Sequence, residues 1–405
     1  MKRSYGSLMG PVSLAAFVLA VPAGLLFPDF CGGIEFIGTV YVNLLKLMIV
    51  PVLFTGITGA LCSGGRNVSK ITLKTVAVFI AMFAASFMLC SLLWGILRPG
   101  EGASFTEVAW DGEIKEITPA GFFTSLFPSN IISAMSENSV LPVIMFAFAL
   151  GIAIRECRLK ELGELFLQLG TAFEKMLSWI MYLTPFGVFA LMSNTVADYG
   201  GGILGTAALY AGCAWLGCAV VAFFVMMLPV WLCCGISPVK YIKRVYRIWL
   251  ITLSTCSSAA TLPNTVRVCN EEFGIPADIT NLVVPLGCTI HMCGGAVSFS
   301  LLAFFNMQMF SVQPDFGMLL LAFITALIIN MGAPGIPGGG IVIGATYLSI
   351  LGLPISFIGF YAGIYRLLDM AYTTMNVCGD ISANILIDKM MSGPAAASKP
   401  ADKEA

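Results

Sequence analysis

The stretch YRLLDMAYTTMNVCGD, residues 365–380, sets Arg366, Asp369, Asn376 and Asp380 inside a long apolar segment. A carboxylate held away from bulk water needs a partner: an ammonium group, a metal cation, a guanidinium or a proton. At about 100° per residue, Tyr365, Arg366, Asp369, Tyr372, Thr373, Asn376 and Asp380 project within about 120° of one another. Leu367, Leu368, Met370, Ala371, Met375 and Val377 form the opposite face. The polar stripe must therefore line a bundle interior or a wet cavity, where it could bind a cationic or zwitterionic guest. An Arg366–Asp369 pair at i,i+3 could also simply neutralise itself, but that leaves Asn376 and Asp380 unexplained.

Two other chemistries fare worse. Carboxylates that share a proton sit within a few ångströms, whereas Asp369 and Asp380 are roughly 16 Å apart along a helix. Cys288, His291 and Cys293 form the second cluster, and His291 is the only histidine. Their spacing does not put all three on one helical face, and no fourth metal ligand is evident. No nucleophile–base pair stands out, so the sequence does not read as an enzyme.

A membrane must position these residues. The 405 residues are 58% hydrophobic and 11% charged, with a mean hydropathy of +0.91; soluble domains carry about 25% charged residues. Crossing the hydrocarbon takes about 20 apolar residues in a helix. Such spans read at 9–27, 37–61, 73–97, 139–156, 163–197, 205–234, 276–312 and 357–391. Two further apolar stretches, 238–270 and 315–355, are interrupted by STCSSAATLPNT (254–265) and NMGAPGIPGGG (330–340). Each has half a crossing on either side, so each reads as a re-entrant hairpin, with an ordinary loop as the plainer alternative. Paired interrupted segments point to a transporter site, because half-helix ends can meet substrate and ions at the midplane. The expected fold class is an all-α polytopic membrane protein with eight transmembrane helices and two re-entrant helical hairpins.

The remaining composition sets the surroundings. Net charge is −1, with no basic patch for nucleic acid, and the thirteen cysteines are scattered through apolar spans rather than framed for disulfides. Lys and Arg gather at the N-terminus and after the second, fourth and sixth spans, whereas the 99–138 loop is acidic. That bias predicts cytoplasmic N- and C-termini; the expected location is the plasma (inner) membrane. The tail over 392–405 is small, polar and expected to be disordered.

SSAATLP, GAPGIPGGG and LLDMAYTTMNVCGD closely resemble the dicarboxylate/amino acid:cation symporters, the glutamate transporter family. LLKLMIVPVLF, ISAMSENSVLPVIMFAFALGIAI and TPFGVFALM extend the likeness through most of the chain. The resemblance implies a homotrimer with elevator-type transport and no organic cofactor. It implies scaffold helices 1–2 at 1–70 and helices 4–5 at 139–204. The transport domain would take helix 3 with an extracellular loop at 71–138, and helix 6, hairpin 1, helix 7, hairpin 2 and helix 8 at 205–391. Asp369 matches the position that receives a substrate ammonium. Thr373, Asn376, Ser257 and Ser258 match positions around its α-carboxylate. The 333–338 tip, with Ala333, Gly335, Pro337 and Gly338, would be the extracellular gate. Asp380, with backbone near Asn376, matches one sodium site, and Thr289 with Met292 matches another.

Three departures bear on function. The family arginine that holds a side-chain carboxylate is Tyr372 here, and the aspartate that steadies it is Tyr365. Without that bidentate cation, a neutral amino acid is the expected substrate; the alternative keeps acidic substrates through Arg366. The family motif Asn-Met-Asp-Gly-Thr appears as His291, Met292, Cys293, Gly294 and Gly295. Losing oxygen ligands weakens a sodium site, and an unperturbed histidine titrates near neutral pH. Na+ is the expected coupling ion, with H+ through His291 as the alternative.

Overall fold

The computed structural model describes residues 5–63, 70–103, 124, 127–137, 140–199, 203–331, 339–355 and 357–392. Among them, all regular structure is helical. In chain order the helices are α1 (Tyr5–Leu26), α2 (Pro28–Gly33), α3 (Glu35–Ser63), α4 (Lys70–Leu97) and α5 (Ile131–Ser136). Then come α6 (Val140–Glu156), α7 (Lys160–Met181), α8 (Thr184–Tyr199), α9 (Ile203–Val221) and α10 (Leu228–Cys234), with a π-helical turn, Ala222–Met227, joining the last two. The remainder are α11 (Pro238–Thr255), α12 (Ser258–Glu271), α13 (Ala277–Ile290), α14 (Cys293–Met309), α15 (Phe316–Asn330), α16 (Gly339–Ile350) and α17 (Phe357–Ser392).

Leu73–Leu97, Gly205–Cys234 and Ala277–Met309 are each long and apolar enough to cross a membrane. A fourth candidate is the sharply bent pair Val18–Leu26 and Pro28–Tyr41. Helix α17 is longer than any of these, but its polar stripe lowers its hydropathy. Large apolar side chains such as Leu97, Leu232 and Phe316 point outward, which suits lipid better than water.

The helices pack in two groups. α3 lies against α6, α7 and α8, and α1 against α8. Small residues permit this closeness, since a Cβ on Gly187 of α8 would overlap the Tyr41 ring of α3. In the second group α17 is the hub, touching α9, α11, α12, α13, α14 and α16, while α4 runs along α14. Lys74 Nζ donates to the Met390 carbonyl at 3.1 Å, so the start of α4 and the end of α17 share one end of the molecule.

Three boundaries differ from the sequence reading. The single span expected over 163–197 is two helices, α7 and α8, joined by a turn at Tyr182–Leu183. In the first interrupted stretch the break falls at Cys256–Ser257, and Pro263 sits inside α12. Cys256 takes a left-handed conformation (φ 48°) that ends α11, and Ser257 caps the next helix by accepting from Ala260 N–H. The span over 276–312 is broken between α13 and α14, where His291 and Met292 leave helical geometry.

Candidate functional site

A cavity of about 50 Å³ lies where α17, α14, the capped start of α12 and the arms α15 and α16 meet. From α17 it is lined by Tyr365, Asp369, Tyr372, Thr373 and Asn376, which is the stripe read from the sequence. The regular 36-residue helix keeps these positions on one face. Asp369 is buried, and Thr373 Oγ1 donates to its Oδ1 at 3.1 Å. Asn376 Oδ1 accepts from Gly294 N–H at 2.8 Å, which joins α17 to the first turn of α14.

Across the cavity, Cys256 and Ser258 come from the break between α11 and α12. Ser257 is buried beside them, and its carbonyl accepts from Thr261 Oγ1 at 2.8 Å. The N-terminus of α12 lies here, so the site pairs one carboxylate with a helix start and a hydroxyl. That set suits an ammonium group and a carboxylate carried by the same guest. Met292 also lines the cavity. Thr289 lies near the end of α13. Ala333, Gly335, Pro337 and Gly338, expected at the second tip, lie outside the described residues.

The two tyrosines at the departure positions behave differently. A Cβ added at Gly340 would overlap the Tyr365 hydroxyl, so this tyrosine is wedged against the start of α16. The Tyr372 hydroxyl is buried with no hydrogen-bond partner among the described residues. Among the described lining residues none is lysine or arginine. Arg366 is half-buried on α17 and lies outside the described lining.

One helical turn beyond Asn376, Asp380 forms a separate cluster. Its Oδ1 lies 3.0 Å from His291 Nδ1, with both side chains at 2% exposure or less. With Asp380 as carboxylate, Nδ1 carries the hydrogen and Nε2 is left to accept from the Cys293 thiol, 3.2 Å away. The Phe79 ring stacks on the imidazole, with centroids 4.3 Å apart and planes 4° from parallel. A Cβ at Gly287 would overlap Asp380 Oδ1, so α13 approaches α17 as closely as glycine allows. Helical projection kept His291 and Cys293 apart; the break between α13 and α14 brings them together. Among the described residues no group of three or more His, Cys, Asp or Glu side chains is arranged to hold a metal.

Sequence reasoning missed Asn330. It ends α15, lines the cavity, and its Nδ2 is buried without a partner among the described residues. A lone asparagine at the end of an apolar helix gives no periodic signal.

Comparison with known proteins fits this geometry. The model of the sodium:dicarboxylate symporter family matches residues 9–390. A proton/glutamate-aspartate symporter of Bacillus subtilis is 28% identical over 388 residues, covering 93% of each chain. A proton/sodium-glutamate symport protein of Geobacillus stearothermophilus is 26% identical, covering 92% of each chain. A C4-dicarboxylate transport protein of Deinococcus radiodurans is 27% identical, covering 96% of this chain and 90% of its own.

Proposed function

The chain belongs to the sodium:dicarboxylate symporter family, and on that premise we propose that it carries a neutral amino acid into the cell, coupled to a cation gradient. Family membership makes it a membrane transporter and not an enzyme. The observation that carries the substrate reading is the cavity wall, which holds Asp369 and no lysine or arginine among its described residues. In this reading Asp369 takes the substrate ammonium. Ser258, the amides at the start of α12, Thr373 and Asn376 surround the α-carboxylate. Tyr372 faces a side chain that brings no charge. Burying an anionic side chain here without a paired cation would cost several kcal/mol.

The architecture proposed with it has eight spans and two re-entrant hairpins, working by elevator-type alternating access. The group containing α1, α3 and α6–α8 would be the scaffold of a homotrimer. The group around α17 would carry the substrate. The protein would sit in the inner membrane with both termini cytoplasmic.

Sodium is the proposed coupling ion, held by backbone around Thr289 and Met292. A second reading is favoured by the 3.0 Å contact between His291 and Asp380: the imidazole stands beside the carboxylate expected to hold a cation, so a proton could be the coupled ion. A third follows from the relatives named for glutamate, aspartate or C4-dicarboxylates, with Arg366 meeting an acidic substrate.

Uptake by purified protein in liposomes separates these readings. Labelled serine, alanine and aspartate are offered under a sodium gradient and, separately, under a proton gradient. Accumulation of serine or alanine on sodium alone is the expected result. Accumulation on protons alone moves coupling to His291, and uptake of aspartate alone overturns the neutral-substrate reading.

A further inference from the structure

Two buried donors on residues of the cavity wall have no acceptor among the described residues. Asn330 is 1% exposed and its Nδ2 has no partner among the described residues. Tyr372 is 3% exposed and its hydroxyl is likewise without one. Leaving such a group unsatisfied costs about 1–3 kcal/mol, so each is a place where a guest could complete the protein. Of the neighbouring polar groups, the Thr373 hydroxyl donates to Asp369 and Ser298 pairs with the Tyr361 hydroxyl at 2.8 Å, while Asn376 accepts from Gly294 N–H through Oδ1 and its amide nitrogen belongs to the α-carboxylate in the reading above.

The wall opposite Asn330 is cut to fit it. A Cβ at Gly295 would overlap Asn330 Oδ1, and Gly295 stands where the resemblance expects a threonine. The side chain missing from α14 is thus replaced in space by a carboxamide reaching in from α15.

We propose that Asn330 selects the substrate side chain by donating from its carboxamide to an uncharged oxygen, a hydroxyl or an amide, on a small amino acid. The Tyr372 hydroxyl is the second donor. This rests on the neutral-substrate reading above and adds to it the class of side chain. Two neutral donors suit an uncharged oxygen, whereas a side-chain carboxylate would be a further buried anion beside the α-carboxylate and Asp369, with no lysine or arginine among the described lining residues.

The test uses full-length protein in liposomes, with labelled serine uptake competed by unlabelled serine against alanine and by threonine against valine. Wild type should favour the hydroxyl member of each pair by roughly five- to ten-fold. Asn330→Ala should bring both ratios close to one by weakening serine and threonine roughly five- to ten-fold more than alanine and valine. Gly295→Ala, which drives a Cβ into the carboxamide, should move the ratios the same way. Isosteric Asn330→Leu serves if the alanine variant loses its thermal transition. Equal weakening of serine and alanine, as expected if Asn330 only packs or holds a structural water, overturns the proposal. Ratios that stay at the wild-type value overturn it as well. Failure of the neutral-substrate reading looks different: wild type itself would then accumulate aspartate and neither serine nor alanine.

Discussion

The cavity and the Asp380 cluster lie about one turn apart on α17, and their polar groups are finished in opposite ways. Around the cavity, donors on Asn330 and Tyr372 lack partners among the described residues, and the helix start at Ser258 lines the same cavity as Asp369. Around Asp380 the protein supplies partners of its own: His291 for one carboxylate oxygen, Cys293 for the second imidazole nitrogen, and Phe79 for the ring face. The first arrangement is costly until a guest arrives. The second has a protein partner in place. Open donors on the wall mark the first region as one that can receive a guest, whereas the second has brought its own partner for the carboxylate, although both carry a buried aspartate.

The largest effect should come from neutralising the open aspartate. Asp369→Asn keeps the shape and can still accept from Thr373, but it loses the charge that an ammonium group needs. A hydrogen bond to a charged group is worth about 1.5–3 kcal/mol, and buried charge pairing adds to that. Substrate affinity should fall on the order of 100-fold or more. Binding of labelled substrate to purified protein, with thermal unfolding as the control for fold, measures it. Unchanged binding would remove Asp369 from the substrate site and erase the contrast with Asp380.

A smaller effect should follow from opening the closed cluster. His291→Asn restores the residue that the family motif carries and removes the imidazole from Asp380. If the imidazole stands in for a cation, the freed carboxylate should bind sodium. Exchanging sodium for choline at constant ionic strength should then shift the melting temperature of the variant by a few degrees. The wild type should shift by less. A variant no more sensitive to sodium than wild type would show that His291 does not occupy a cation's place.

The open region was far more legible in sequence than the closed one. The α17 stripe could be read because a helix without interruption repeats its face, and the apolar residues opposite left one orientation. The His291–Cys293 contact could not be read, because a helical wheel assumes the helix that breaks at His291–Met292. Asn330 depended on a contact between α15 and α14 that no local pattern encodes. The first interrupted stretch was legible as an interruption but not in detail: the sequence marks only the run 254–265, whereas the left-handed Cys256 and the Ser257 cap set the break.

That last detail carries the smallest prediction, and it tests whether the break between α11 and α12 belongs to the open region by structure or by chemistry. Ser257 Oγ accepts from Ala260 N–H at 3.2 Å, so part of its role is to cap α12. Replacing an N-cap serine with alanine costs about 1 kcal/mol, which should lower the melting temperature by a few degrees at most. Ser258 lines the cavity whereas Ser257 is absent from its lining. Ser257→Ala should accordingly weaken substrate binding only two- to three-fold (roughly 0.5 kcal/mol), through a less ordered helix start. Ser258→Ala, which removes a hydroxyl from the wall itself, should weaken binding more while sparing the cap. Reversal of that order would mean that the open region extends to Ser257 and that its hydroxyl leaves Ala260 to meet the guest.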